Sequence, residues 1–165
     1  MRCLLATLVA AVMLGPAAAA VASEWGDIRP GISTTKDIRA LYGAPTKSSK
    51  QKVESYETET WIYEGPQSPP GTTRLTIEFG LLQSEKFQPT VVRDFKLEPT
   101  PGAFTRRIVT LGWGEPDRFG RDGETDVFVY YEGLLVYFDE TGQNAKLMVF
   151  TVAQPRDPAD EPRSR

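Results

Sequence analysis

The chain carries the same stretch twice, and this duplication constrains its fold more than any other feature. Pro30-Gly31, Thr34, Ile38, Tyr42, Gly43 and Pro45 are matched 71 positions later by Pro101-Gly102, Thr105, Val109, Trp113, Gly114 and Pro116. Tyr63-Glu64-Gly65 returns as Tyr131-Glu132-Gly133, and Leu75-Ile77-Phe79 returns as Leu134-Val136-Phe138. A repeated unit this short cannot bury a large apolar face alone, so two copies are expected to share one body.

Each copy opens on a short helix. Thr34 and Thr105 are the expected N-caps, and Ile38, Leu41 and Tyr42 fall on one face at i, i+3 and i+4. Phe104 before the cap and Val109 inside the helix have the spacing of a hydrophobic staple. Gly43 and Gly114 supply a residue tolerant of positive φ, and Pro45 and Pro116 forbid continuation, so the repeated Gly-x-Pro is a helix stop. Trp113 is expected to close the second helix against the sheet, and Trp61 to face the core.

Strands follow. Trp61 to Tyr63, Arg74 to Phe79 and Val91 to Leu97 alternate or run apolar in the first copy; Val127 to Tyr131, Leu134 to Phe138 and Lys146 to Val152 do so in the second. Residues 65–71 read as a loop, 98–102 as the link between copies, and 139–142 as a hairpin turn. The expected fold class is α+β: two tandem helix-plus-three-strand antiparallel units, residues 23–99 and 100–153, with the helices on one face of the sheet. Trp25 reads as an N-terminal plug; Tyr56 and Phe87 fall in stretches without a clear period.

The pattern Pro30 to Pro45, Trp61-Ile62-Tyr63 and Leu75 to Gly80, repeated through Pro101 to Pro116 and Tyr131 to Phe138, resembles the BamE (SmpA/OmlA) domain. It is also similar to the tandem units of β-lactamase inhibitor protein. The resemblance implies an extracytoplasmic, non-enzymatic module that binds another macromolecule. BamE-type proteins are usually lipid-anchored single units, whereas this chain carries two copies.

Residues 1–22 have the three-part layout of a secretory signal: Arg2, an apolar run from Leu4 to Leu14, and Ala20-Val21-Ala22 before the expected cleavage point. Cys3 stands at the front of that run, whereas a lipid-anchor cysteine would close it, so the export expected is to the periplasm or beyond without a lipid anchor. Removing 22 residues from 165 leaves 143, and losing Arg2 takes the net charge from −3 to −4. Mild acidity with interspersed signs argues against nucleic acid as a partner. Residues 154–165 are Pro, Asp, Glu, Arg and Ser around a lone Ala159 and read as a frayed tail.

Chemistry is narrowed by what the chain lacks. It has no histidine, and its one cysteine belongs to the leader. Imidazole-based triads and thiol nucleophiles are therefore outside its reach. No Gly-rich phosphate loop is present. Asp122-Gly123-Glu124-Thr125-Asp126 places carboxylates at alternate positions but completes no EF-hand loop, and it reads as a solvated turn. No enzyme activity, cofactor or metal is expected.

Side chains alternate faces along a strand, so each strand divides into two sets. In the first copy Trp61, Tyr63, Leu75, Ile77, Phe79, Phe95 and Leu97 form an apolar set, opposite Thr58, Thr60, Thr76, Glu78, Asp94 and Lys96. Alignment through Tyr-Glu-Gly assigns Val129, Tyr131, Leu134, Val136, Phe138, Met148 and Phe150 to the inner face of the second copy. Its outer face then holds Phe128, Tyr130, Leu135, Tyr137, Leu147 and Val149. A contiguous apolar patch marks an interaction surface, so these six residues are the candidate site for a protein partner. Three readings stand open: a partner-binding face, a face covered internally by the Trp25 segment or the first helix, and a bulge that reverses the parity of one strand. The competing function is an envelope structural protein that self-associates through the same face.

Overall fold

A computed structural model of the chain describes residues 24–153. The expectations for the leader, its Cys3 and the tail at 154–165 lie outside the described residues. In chain order the elements are α1 (Thr35–Tyr42), β1 (Lys47–Val53), β2 (Tyr56–Glu64), β3 (Thr72–Gln83), β4 (Lys86–Pro99), α2 (Arg106–Trp113), β5 (Arg118–Asp122), β6 (Thr125–Tyr130), β7 (Leu134–Phe138) and β8 (Ala145–Thr151). A single 3₁₀ turn at Gly65–Gln67 follows β2. All eight strands form one antiparallel sheet in the order β1-β2-β3-β4-β8-β7-β6-β5.

The expected helix-plus-three-strand units are thus corrected: the molecule is mostly one eight-stranded sheet with two short helices, and four strands follow each helix. The missing strands are β1 and β5, the two edges. Their sequences, Lys47-Ser-Ser-Lys-Gln-Lys-Val53 and Arg118-Phe-Gly-Arg-Asp122, carry one large apolar residue each. An edge strand bathed in solvent needs no apolar alternation, so hydrophobic periodicity is silent there.

Both helix caps form at the expected residues. The Asp37 carboxylate accepts from the Thr34 N–H and hydroxyl at 2.8 and 2.7 Å, and the Thr105 hydroxyl accepts from the Ile108 N–H at 3.3 Å. Gly43 and Gly114 close the helices at φ of 74° and 82°. Just before each helix the chain touches the last strand of its half, through the bridge from Thr34 to Val91 within β4 and the bridge from Thr105 to Asn144 just ahead of β8.

The core lies between the helices and one face of the sheet. Ile38 of α1 and Val109 of α2 are fully buried among Trp61, Tyr63, Leu75, Ile77, Phe79, Phe128, Tyr130, Leu134, Val136 and Phe138, with Trp25, Tyr42, Phe104 and Trp113 packed at its margin. The two halves join through β4 and β8, where Phe95 lies opposite Phe150 and Leu97 opposite Met148. The rings of Phe95 and Phe150 stack at 4.5 Å and 6°, so the seam is as apolar as the core on either side. Trp113 meets Phe150 edge-on at 6.1 Å, which is how α2 closes on the sheet. Among the described residues no helix is long and apolar enough to cross a membrane.

Candidate partner-binding face

Cross-strand register fixes which residues share a face, because directly paired residues project to the same side. Trp61 pairs with Ile77 and Tyr63 with Leu75; Phe128 pairs with Val136 and Tyr130 with Leu134. Phe128 and Tyr130 therefore belong to the helix-facing side, where both are buried in the core. This corrects the sequence-based parity of β6 and removes two of the six candidate site residues from the outer face.

The cause is the shared tripeptide. Tyr63-Glu64 closes β2, whereas Tyr131-Glu132 lies in the turn after β6. The glycines also serve different ends. Gly65 has open space where a Cβ would stand, whereas a Cβ on Gly133 would collide with the Thr151 carbonyl oxygen. The structural counterpart of Tyr63 is Tyr130: the Tyr63 hydroxyl donates to the Gly43 carbonyl at 3.1 Å, and the Tyr130 hydroxyl donates to the Gly114 carbonyl at 3.0 Å. Each tyrosine ties its half's sheet to the glycine that ends its helix. Burial pushes both phenols up to about 12. The sequence signal for this latch is a tyrosine near the end of the apolar strand downstream of each Gly-x-Pro stop, and the tripeptide masked it by pointing to Tyr131.

The other four candidates, Leu135, Tyr137, Leu147 and Val149, do lie on the outer face, each half-buried. Register adds Val127 and Val129, which pair with Tyr137 and Leu135. Leu135 in turn pairs with Val149, and Tyr137 with Leu147. The result is a grid three strands wide and two residues deep. Val127 is the most shielded at 6 % exposure. Close-packed neighbours on a sheet shade one another, which accounts for half-burial. The Trp25 segment and both helices pack on the opposite side, which removes them as internal covers. A recess of about 260 Å³ lined by Val129, Tyr130, Tyr131, Gly133, Leu135 and Thr151 opens at one end of the grid, around the turn after β6.

The first half has the same lattice with other chemistry. Thr60 pairs with Glu78, Ile62 with Thr76, Thr76 with Lys96 and Glu78 with Asp94. These pairings superimpose on those of the grid, so Thr60, Ile62, Thr76, Glu78, Asp94 and Lys96 stand where Val127, Val129, Leu135, Tyr137, Leu147 and Val149 stand. Beside them Arg93 pairs with Glu78 and, at 3.0 Å, with Asp94, and the Lys96 ammonium reaches Glu78 at 3.0 Å. A register shift between Glu78 and Phe79 marks the bulge that brings Arg93 into this network. Burial pushes Asp94 up from the usual carboxylate range, and its Oδ1 is buried without a hydrogen-bond partner.

The carboxylates of 122–126 do not converge on a metal site. Asp126 is engaged by Arg106 at 2.9 Å and Arg121 at 3.2 Å, which hold it below the usual range. Among the described residues no cluster of three or more His, Cys, Asp or Glu is arranged to hold an ion. Tyr56 and Phe87, unplaced by sequence, stack at 4.5 Å near the tips of the β1–β2 and β3–β4 hairpins.

Fold and face together define a class: a single antiparallel sheet with helices on one side and a chemically divided surface on the other that no helix covers among the described residues. No family model matches the chain, and a comparison with curated proteins returns no match. Among solved structures it is similar to a DUF4309 family protein (YjgB) from Bacillus subtilis subsp. subtilis str. 168, at 13% identity and a TM-score of 0.45, over 77% of this chain and 83% of that one. A likeness that loose carries no argument about what this chain does.

Proposed function

We propose that this chain is an exported, non-catalytic binding module that holds a protein partner on the outer face of its second half. The observation that carries the reading is the grid of Val127, Val129, Leu135, Tyr137, Leu147 and Val149, set on a lattice whose first-half points are mostly polar or charged. If the outer face met only water, its two halves would be under the same pressure to be polar. Burying a grid of this kind is worth roughly 25 cal/mol per Å² of apolar area, and the recess beside Leu135 suits one anchoring side chain. The signal-like residues 1–22 and the resemblance to BamE domains support the compartment and the mode of action.

The test is site-specific photo-cross-linking in cells, with the reactive residue at Tyr137 or at its counterpart Glu78. The reading predicts a discrete protein adduct from position 137 that excess unlabelled chain competes away, and none from position 78. Equal labelling from both positions, or none from 137, contradicts it.

A further inference from the structure

The two edges of the sheet, β1 and β5, each expose a row of backbone N–H and C=O groups that another strand can pair with. They are defended differently. β1 carries Lys47, Lys50 and Lys52 on a fully exposed strand. Laid antiparallel against a copy of itself about its central residue, it brings Lys50 onto Lys50, and the two ammonium groups repel. β5 has the opposite property. Its sequence is Arg118-Phe119-Gly120-Arg121-Asp122, and antiparallel pairing about Gly120 sets Arg118 opposite Asp122 and Phe119 opposite Arg121. Both contacts occur twice across the dyad.

The faces agree with this register. Arg118 and Asp122 pair with Val129 and Thr125, so they lie together on the outer face, both exposed. Among the described residues neither is in an ion pair. Phe119 pairs with Phe128 on the helix-facing side; one edge of its ring meets Phe128 at 5.1 Å, yet it remains 65 % exposed. The Arg121 guanidinium of a second copy, while held by its own Asp126 at 3.2 Å, would lie over that ring, as Arg106 is also paired with Asp126 while covering Phe128 at 4.8 Å and Phe138 at 4.4 Å. Gly120 at the dyad carries no side chain to crowd its own copy on the outer face.

We infer that β5 is the dimerisation edge of this protein: two copies pair β5 antiparallel about Gly120 and continue their sheets into one of sixteen strands. The interface is isologous, and it leaves the aliphatic grid of each copy free. Five residues per strand make a small contact, so dilution separates the copies.

Sedimentation velocity on the purified chain, from about 5 µM to about 500 µM, tests this. The wild-type mass is expected to climb toward twice the monomer. Arg118→Asp and Asp122→Arg each place like charges opposite one another twice, and each is expected to weaken association on the order of tenfold. An equimolar mixture of the two variants restores it, because every charge again faces its opposite. Both side chains are exposed, and unchanged circular dichroism and melting establish that the variants fold. A wild type that stays monomeric throughout, single variants that associate like the wild type, or a mixture no better than its components would each overturn the inference.

Discussion

On the helix-facing side, Trp61, Tyr63, Leu75, Ile77, Phe79, Phe95 and Leu97 of the first half have counterparts of similar size and apolarity at Phe128, Tyr130, Leu134, Val136, Phe138, Met148 and Phe150. On the other side, Thr60, Thr76, Glu78, Asp94 and Lys96 have counterparts at Val127, Leu135, Tyr137, Leu147 and Val149, and only Ile62 keeps its character at Val129. The same lattice therefore retained its chemistry where a helix covers it and diverged where none does. Packing explains the first result, since any change in volume there is felt by the whole core. The second has no packing cause. A single-layer face tolerates threonine and lysine, as the first half demonstrates, and the aliphatic character of the second half is the contrast on which the proposed partner-binding face rests. The halves also differ in reach: β3 and β4 run 12 and 14 residues against 5 and 7 for β7 and β8.

The comparison can be broken on the covered side first. Tyr63→Ser and Tyr130→Ser remove equivalent buried rings, and each is expected to cost about 3–5 kcal/mol of unfolding free energy. Tyr63→Phe and Tyr130→Phe keep the ring and lose only the bond to Gly43 or Gly114, at about 0.5–1.5 kcal/mol. Denaturant unfolding of all four measures both terms. Costs that differ widely between the halves would show that the inner faces are not equivalent.

A smaller effect sharpens the outer side. Asp94 occupies the lattice point of Leu147 and is faced by Arg93, Glu78 and Lys96. A carboxyl whose folded pKa lies above its unfolded value contributes stability that is present below about pH 3.9 and is lost as pH rises through the raised value. Asp94→Asn is therefore expected to melt above the wild type at pH 7, with the advantage shrinking as pH falls toward 3. Thermal melts across that range check it; an advantage that grows toward acid would reverse the assigned sign.

Helix positions, caps and stops were legible because Thr34, Thr105, Gly43, Gly114, Pro45 and Pro116 act locally, each through its own backbone. The central strands were legible because their inner faces must be apolar. β1 and β5 were not, since edge strands at the solvent boundary have no burial to encode. The parity of β6 failed for a different reason: Tyr-Glu ends a strand in the first half but lies in the turn after the strand in the second, so the shared tripeptide is not at equivalent positions. Four of the six candidate site residues kept their face: Leu135 and Tyr137 alternate with Leu134, Val136 and Phe138, and Leu147 and Val149 alternate with Met148 and Phe150, all of which do face the core. Val127 and Val129 were missed only through the slip in β6.

The most direct test transplants first-half chemistry onto the grid, with Leu135→Thr, Tyr137→Glu and Val149→Lys in one chain, and reads thermal unfolding together with cross-linking from a reactive residue at Val129. Substitutions on an uncovered face change stability by about 0.5 kcal/mol or less each, so the melting temperature is expected to fall by no more than a few degrees while the partner adduct disappears. A collapse of the melting temperature would mean that the grid is covered within the molecule. An adduct that survives the transplant would mean that the partner binds elsewhere.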